Sequence, residues 1–222
     1  MGIKAAMRSQ ESIPLSAVDV TTLPEDLRLS ARLRNATRLE HKLIESASGL
    51  PDAVRSLDDY RRCLLTFYGM FCPLERHFAA FDEWRALGLS IQHCARVPAL
   101  RVDLRILNCD PVLWREAPAS SLPALPMFPF ALGALYVFEG SVLGGQIIMA
   151  TLRQRLHQSV DLPGNFFAGR GDTTLPRWQH FRQMLDRYGE QFPDRQAAVI
   201  AGAQRTFHAL AAWFDDNKAD QT

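Results

Sequence analysis

The most constraining feature of the chain is a long apolar stretch, ALYVFEGSVLGGQIIMATL, at residues 134–152. It contains no proline, and its near-continuous apolar character predicts a helix that is buried over most of its surface. The same stretch contains Gly140, Gly144 and Gly145, although each glycine inside a helix costs about 1 kcal/mol relative to alanine. Three glycines in one core helix therefore require a compensating gain.

Two explanations of these glycines are open from the sequence. Gly140 and Gly144 form a GxxxG pattern, which lets a second helix approach closely. Alternatively, the glycines remove side chains from one patch, so that a flat ligand can lie against the backbone and the helix can bend over it. The adjacent pair Gly144 and Gly145 favours the ligand, because helix packing needs only one small residue per turn. Apolar neighbours would then form the walls of the ligand site: Leu135, Phe138, Val142, Leu143 and Ile147.

The rest of the chain also has helical periodicity, and no alternating pattern long enough to predict a strand is present. One amphipathic helix is predicted from Leu27 to a stop at Gly49. A second begins at Ser56, and Pro73 predicts a kink in it near Gly69. The fold class is therefore all-α with one core.

Length, charge and cysteine usage limit the domain number, the partners and the compartment that we expect. The 222 residues suit one large domain, and we expect a flexible arm at 1–24, a helical domain at 25–216 and a tail at 217–222. The formal net charge of +1 gives no electrostatic reason to expect nucleic acid or an anionic membrane as a partner. No CxxC pair, signal-peptide core or apolar run of roughly 18 residues is present in the sequence. We therefore expect a cytoplasmic protein with reduced thiols.

His41 is the strongest candidate for a metal ligand among the six histidines. Glu45 follows one helical turn later, at the spacing where a carboxylate can accept a hydrogen bond from the second imidazole nitrogen. Arg34 and Arg38 precede His41 at i−7 and i−3 and are expected on nearly the same face. One helix would thus supply an imidazole, its carboxylate partner and two cations for anionic groups. The alternative is an ordinary solvated helix face.

Two segments, LRNATRLEH followed by Glu45 and ALYVFEGSVLGGQ, resemble the haem oxygenases. The resemblance is to the bacterial branch that accompanies bacteriophytochromes, and it extends over residues 27–215. The segments YRRCLLTFYGMFCPLE and VPALRVDLRIL are also similar to this branch. The resemblance implies a single-domain helical bundle in which haem lies between a proximal helix and a kinked distal helix.

The resemblance also implies roles for individual residues of the proximal side. His41 matches the ligand of the haem iron, and Glu45 matches the acidic partner of that histidine. Arg34 and Arg38 match basic residues that the family places near the haem propionates. Further basic contacts to the cofactor are implied for two arginines in LPRWQHFRQML: Arg177 and Arg182.

On the distal side, Gly140, Gly144 and Gly145 match the glycines that let the backbone pass over the haem, with Phe138 as a neighbouring wall. Mammalian-type members carry an aspartate one residue after the glycine that matches Gly140. This chain has Ser141 there, as is expected of the bacterial branch. Ser141, Gly140 and Gly144 are therefore the candidate catalytic residues, and Ser141 would help to hold distal water.

The implied reaction opens haem, which is both substrate and cofactor, to biliverdin and releases iron and carbon monoxide. It uses O2 and external electrons. No glycine-rich nucleotide motif is present in the sequence, so a ferredoxin or a reductase is expected as electron donor. The product would supply the bilin chromophore of a bacteriophytochrome. Because Ser141 replaces aspartate, the alternative is a non-catalytic protein that binds or carries haem.

Overall fold

The computed structural model describes Pro24, residues 27–156 and residues 162–219, and this part of the chain is all-α, as predicted. The described residues form helices and short 3-10 turns but no strand. The α-helices, in chain order, are α1 (Leu29–Ala36), α2 (Arg38–Ser48), α3 (Leu57–Phe78), α4 (Ile91–Cys94), α5 (Val97–Ile106), α6 (Phe128–Arg155), α7 (Asn165–Ala168), α8 (Thr174–Gln191) and α9 (Gln196–Ala219). The predicted arm lies outside the described residues apart from Pro24.

The first predicted helix is divided at Thr37, which separates α1 from α2. Thr37 has φ −108° and ψ 10°, outside helical values, and its Oγ1 donates a hydrogen bond to the Leu33 carbonyl at 2.8 Å. A β-branched residue that bonds back to the preceding turn in this way disfavours a regular helix. The expectation of one continuous helix is therefore wrong, since Arg34 is on α1 and His41 is on α2.

Local hydrogen bonds explain where α3 begins and how it continues past its proline. The Ser56 hydroxyl oxygen accepts a hydrogen bond from the Asp59 N–H at 3.0 Å, which caps the helix. Pro73 has no N–H for the carbonyl of Gly69, one turn earlier, and this carbonyl accepts the Ala117 N–H at 2.8 Å instead. The helix runs on without interruption to its end, and the kink at this point stays a prediction.

The central helix, α6, packs most extensively against α9. A Cβ on Gly133 would lie 1.9 Å from the Val199 carbonyl oxygen, and a Cβ on Gly202 would lie 2.1 Å from that of Phe130. No side chain fits at either position, so these two glycines let the helix backbones approach closely. The close helix contact that the sequence suggested for GxxxG is thus made by Gly133 and Gly202.

By length and composition alone, α6 could cross a membrane. Its most apolar window has a mean hydropathy of 1.4, and 61% of that window is buried against the rest of the fold. A core helix of a globular protein has the same properties, so these values do not identify a membrane span.

Two predicted element ends differ from the structure or lie outside it. The sequence predicts that the α6 helix continues to about His157, which is outside the described residues; the helix ends at Arg155. The last helix, α9, extends to Ala219, and the Asn217 side chain donates a hydrogen bond to the Trp213 carbonyl at 2.8 Å. The start of the predicted tail at 217 therefore belongs to α9.

Candidate functional site

A cavity of about 550 Å³ lies between α2 and α6, both of which pack against α9. Ligand and cofactor sites typically enclose about 300–1,000 Å³. The cavity combines an imidazole and cations from α1 and α2 with aromatic side chains and the backbone of α6. Eight predicted site residues line it: Arg34, Arg38, His41, Glu45, Gly140, Ser141, Gly144 and Gly145.

Two contacts orient the His41 imidazole at the cavity wall. Its Nδ1 lies 3.2 Å from Glu45 Oε1, and its ring meets the Phe207 ring edge-on at a centroid distance of 5.8 Å. A carboxylate at Nδ1 favours the tautomer with the proton on that nitrogen and leaves Nε2 as an electron-pair donor. The side chain is therefore arranged as a metal ligand with an acidic partner.

Three cations line the cavity beside His41. Arg34 comes from α1, and Arg38 and Lys42 come from α2; all three side chains are exposed. No sequence pattern predicted a role for Lys42. A group of cations at the cavity mouth suits a ligand with carboxylate groups.

The three glycines of α6 have different surroundings. A Cβ on Gly144 would meet nothing within 4 Å, so the bare backbone there faces open space. A Cβ on Gly140 would lie 3.4 Å from the Trp178 ring, an ordinary contact distance. A Cβ on Gly145 would lie 3.0 Å from the Phe167 carbonyl oxygen, so this glycine serves packing against α7. Gly140 and Gly144 therefore do not make the close helix contact suggested for GxxxG, and the ligand explanation stays a prediction for the open space at Gly144.

The predicted glycines and Ser141 of α6 border the cavity, but the apolar residues beside them are not the predicted ones. The lining residues of α6 recur at helical spacing, beginning one turn before the glycines: Tyr136, Val137, Gly140, Ser141, Gly144, Gly145 and Ile148. Phe138 is 1% exposed and stacks on Phe71 at a centroid distance of 4.0 Å, in the core behind the cavity. The prediction that it forms a wall is wrong, and it is also wrong for Leu135, Val142, Leu143 and Ile147.

Two aromatic residues of α7, Phe166 and Phe167, line the cavity, and a buried carboxylate holds their turn in place. Asp103 of α5 is fully buried and accepts hydrogen bonds from the backbone N–H groups of Asn165 at 3.1 Å and Phe166 at 2.8 Å. It also accepts one from the Asn165 side chain at 2.6 Å. These bonds satisfy the carboxylate and fix the short turn against α5.

Ser141 lies at the cavity and makes two hydrogen bonds. Its hydroxyl donates to the Phe138 carbonyl at 2.8 Å, and its Oγ accepts from Arg96 Nη1 at 3.4 Å. Arg96, for which no sequence pattern predicts a role, is 6% exposed and lines the cavity. It precedes α5 and is 45 residues from Ser141 in the sequence, so no helical spacing could have connected the two.

The two arginines predicted from the C-terminal half do not line the cavity. The Arg177 side chain is turned toward α4, where its Nη2 donates to the His93 carbonyl at 3.3 Å. The expected cofactor contact of Arg177 stays a prediction. Arg182 acts electrostatically on a cavity residue: burial raises the pKa of Tyr136, and a hydrogen bond with Thr37 and then the positive charges of Arg182 and Arg34 oppose this. Arg182 is thus close to the site without lining it.

The cavity fits a flat, metal-bearing ring with acidic substituents. His41 offers an imidazole on one wall, Gly144 leaves bare backbone on another, and the cations lie at the mouth. Haem iron is held in many proteins by a single proximal histidine. Among residues 27–156 and 162–219, no group of three or more His, Cys, Asp or Glu side chains is arranged to hold a metal ion. Fold and site together define an all-α protein with a pocket of the haem-binding type.

Comparisons with known proteins agree with this class. The chain is 36% identical over 143 residues to a heme oxygenase of Xanthomonas campestris pv. campestris (strain 8004), which covers 60% of this chain and 81% of that protein. No family model matches the chain. The chain belongs to the haem oxygenase family of enzymes, as its two motifs predicted.

Solved structures of haem oxygenases share the fold. The NO- and CO-bound heme oxygenase of Neisseria meningitidis has a TM-score of 0.69 at 21% identity, with 87% of this chain and 93% of that chain covered. The heme oxygenase of Leptospira interrogans has a TM-score of 0.65 at 20% identity, with 85% and 99% covered. Heme oxygenase-1 from the cyanobacterium Synechocystis sp. PCC6803, in complex with heme, has a TM-score of 0.65 at 16% identity, with 87% and 93% covered.

Proposed function

We propose that the protein cleaves haem to biliverdin, releases iron and carbon monoxide, and uses O2 and electrons from an external donor. The observation that carries this proposal is a single cavity lined by both His41 and Gly144. The first is an imidazole oriented by a carboxylate, and the second is backbone that faces open space. Such a reaction needs a protein ligand for the iron and separate room for O2 on the other side of the ring.

His41 would bind the iron through Nε2, because its Nδ1 is directed at Glu45. Haem supplies the iron at which O2 is reduced and the ring carbon that is oxidised. The Glu45 carboxylate fixes the tautomer and the orientation of the imidazole. Phe207, packed edge-on against the ring, limits its rotation further.

The cations at the mouth would decide how the haem is rotated in its plane. Arg34, Arg38 and Lys42 line the cavity on the His41 side and would bind the propionates. Arg182, near Tyr136, adds positive charge at this edge. That rotation would determine which ring edge faces the α6 backbone, and therefore which biliverdin isomer forms.

Ser141 would hold water on the distal side. Its only proton is used in the hydrogen bond to the Phe138 carbonyl, so Oγ can make further hydrogen bonds only as an acceptor. A water molecule that donates one hydrogen to Ser141 keeps the second for a ligand in the cavity. Serine would thus orient a proton donor without adding a charge. Gly140 and Gly144 leave the space for this water molecule and for the ligand to which it donates.

The electron donor in this proposal is a ferredoxin or a reductase that docks near the cavity mouth. Arg34 and Arg38 would attract an acidic partner there. We assign the product as the bilin chromophore of a bacteriophytochrome, in the cytoplasm. The support for this link is the similarity of LRNATRLEH and EGSVLGGQ to the branch that accompanies these photoreceptors.

Hemin titration followed by a single turnover tests the proposal. Purified protein should give a Soret band with hemin. Addition of ascorbate or reduced ferredoxin in air should then bleach that band while biliverdin and carbon monoxide appear. A Soret band that persists without biliverdin would assign the protein to the haem carriers instead. No optical change with hemin would exclude both functions.

A further inference from the structure

Arg96 differs from the other cations of the cavity in its burial. Arg34, Arg38 and Lys42 are exposed, whereas only 6% of Arg96 is exposed. Removing a guanidinium from water is costly unless its donors and its charge are compensated. The surroundings of Arg96 provide such compensation, which identifies the position as a built site rather than an accidental one.

The guanidinium of Arg96 is fixed by contacts on two sides of the cavity. Its Nη2 donates to the Phe166 carbonyl at 2.7 Å, and its Cζ lies over the Phe166 ring, 4.5 Å from the ring centroid. Its Nη1 donates to Ser141 Oγ at 3.4 Å. The Glu75 carboxylate accepts hydrogen bonds from the backbone N–H groups of Arg96 and Val97. Backbone and side chain are therefore both held.

The charge of Arg96 persists at neutral pH although the site is buried. Burial lowers its pKa to about 10, and the carboxylates of Glu139 and Glu75 act in the opposite direction. Glu139 is itself buried, with 8% of its surface exposed. Arg170 is a further positive charge facing Arg96. The cavity therefore contains a cation that solvent screens far less than it screens the cations at the mouth.

We propose that Arg96 is the positioning residue of the distal face: it fixes the Ser141 hydroxyl and stabilises negative charge on a ligand bound opposite His41. The inference rests on the proposed haem site. The Phe138 carbonyl accepts the only proton of the Ser141 hydroxyl, and Arg96 Nη1 donates to one of the two lone pairs of its oxygen. The second lone pair of Ser141 Oγ therefore has a defined direction. Arg96 thus supplies the charge, and Ser141 supplies the acceptor for water.

Fluoride binding to the ferric haem complex measures this role without turnover. Fluoride is a small anion that binds haem iron, and a fixed cation with an ordered hydrogen-bond network favours it. Arg96→Met should weaken fluoride binding by about tenfold or more, as expected for loss of a buried charged group. Arg96→Lys keeps the charge but loses the two Nη groups that bond Ser141 and Phe166, and its fluoride affinity should lie between those of Arg96→Met and the wild type. Arg105→Met is the matched control, since Arg105 is exposed on α5 and does not line the cavity.

A double-variant comparison separates positioning from a purely structural role. If Arg96 acts through Ser141, the loss of fluoride affinity in the double variant Arg96→Lys/Ser141→Ala should be smaller than the sum of the two single losses. Additive losses, or unchanged fluoride affinity in Arg96→Met, would overturn the inference. Should Arg96→Met not fold, the Arg96→Lys comparison decides alone.

Failure of the haem site is distinguishable from failure of the Arg96 inference. Hemin affinity is measured first, on the wild-type chain and on each variant. A wild-type chain that does not bind hemin overturns the proposed function and, with it, the role of Arg96. Normal hemin binding with fluoride affinities equal to those of the Arg105→Met control overturns only the role of Arg96.

Discussion

His41 and Glu45 lie one helical turn apart on α2, with Nδ1 of the imidazole 3.2 Å from Oε1 of the carboxylate. Both side chains are more than half exposed, at 61% and 62%. Exposed pairs of this kind contribute at most about 1 kcal/mol to stability. The pair therefore matters less for holding the fold than for presenting Nε2 in one tautomer.

Replacement of the imidazole tests the proposal that His41 is the ligand of the haem iron. His41→Ala is expected to change the Soret maximum of the hemin complex and to reduce biliverdin formation below detection. Glu45→Gln removes only the acidic partner and should weaken hemin binding by up to about tenfold. Hemin titration and product chromatography measure both effects.

A histidine elsewhere on the surface provides the control for these variants. His208 is exposed on α9 and does not line the cavity, so His208→Ala should behave as the wild type. An unaltered Soret spectrum in His41→Ala would contradict the assignment of His41 as the ligand.

Two neighbouring glycines should respond differently to the same substitution. Gly144→Ala adds a methyl group that meets no protein atom within 4 Å. The unfolding free energy of the haem-free protein should be unchanged or rise by up to about 1 kcal/mol, because alanine is the better helix former. Hemin affinity and product formation should fall, because the methyl group occupies cavity space.

Gly145→Ala places its methyl group 3.0 Å from the Phe167 carbonyl oxygen. It should lower the unfolding free energy by about 1–3 kcal/mol, the usual cost of overpacking. Urea unfolding of the two haem-free variants makes the comparison. Equal destabilisation by both substitutions would contradict the distinction between a glycine that faces the cavity and one that packs.

The cations at the mouth should affect product identity more than stability. Arg38→Met and Lys42→Met are each expected to weaken hemin binding about two- to fivefold, the range for exposed charge pairs. The ratio of biliverdin isomers should change, because the haem loses part of what fixes its rotation. Chromatography of the product detects this, with Arg105→Met as the control. An unchanged isomer ratio in Arg38→Met/Lys42→Met would exclude a role for both residues in haem orientation.

An ion pair away from the cavity predicts how stability depends on pH. A two-pronged pair with Arg76 lowers the pKa of Glu116 from 4.5 to about 2. A carboxyl whose pKa is lower in the folded state contributes stability above its unfolded pKa and loses it as pH falls toward the folded value. Glu116→Gln should therefore melt slightly below the wild type at pH 7. The difference in melting temperature should narrow between about pH 5 and about pH 3. A constant difference would contradict the pairing.

The fold class was predictable because helical periodicity is a local property. The long helix α6 follows from its own near-continuous apolar run at residues 134–152. The division of the first helix was not predictable in the same way, because it depends on the Thr37 hydroxyl bonding to the Leu33 carbonyl. The position of α1 depends on the Ser30 N–H donating to Asp186 Oδ1 at 2.8 Å, across more than half of the chain.

The same difference between local and distant relationships applies to the site. His41 and Glu45 could be paired from the sequence because one helical turn separates them. Arg96 reaches Ser141 only through the packing of distant segments, and no spacing in the sequence indicates this. Phe138 was assigned to the wrong face because an apolar helix that is buried nearly all round has no clear amphipathic stripe.

Asp103 shows how a residue outside the cavity can control its shape. Its buried carboxylate accepts three hydrogen bonds that hold Asn165 and Phe166. Asp103→Asn replaces one acceptor oxygen with a donor NH2, which must face an N–H group. The unfolding free energy should fall by about 1–3 kcal/mol, the cost of an unsatisfied buried group. Hemin affinity should fall as well, because Phe166 and Phe167 lose their fixed position.

Asp110→Asn is the matched control, since Asp110 makes its 2.9 Å bond to the Val112 N–H at the surface. Urea unfolding and hemin titration of both variants test this, and equal behaviour of the two would show that the α7 turn does not depend on Asp103.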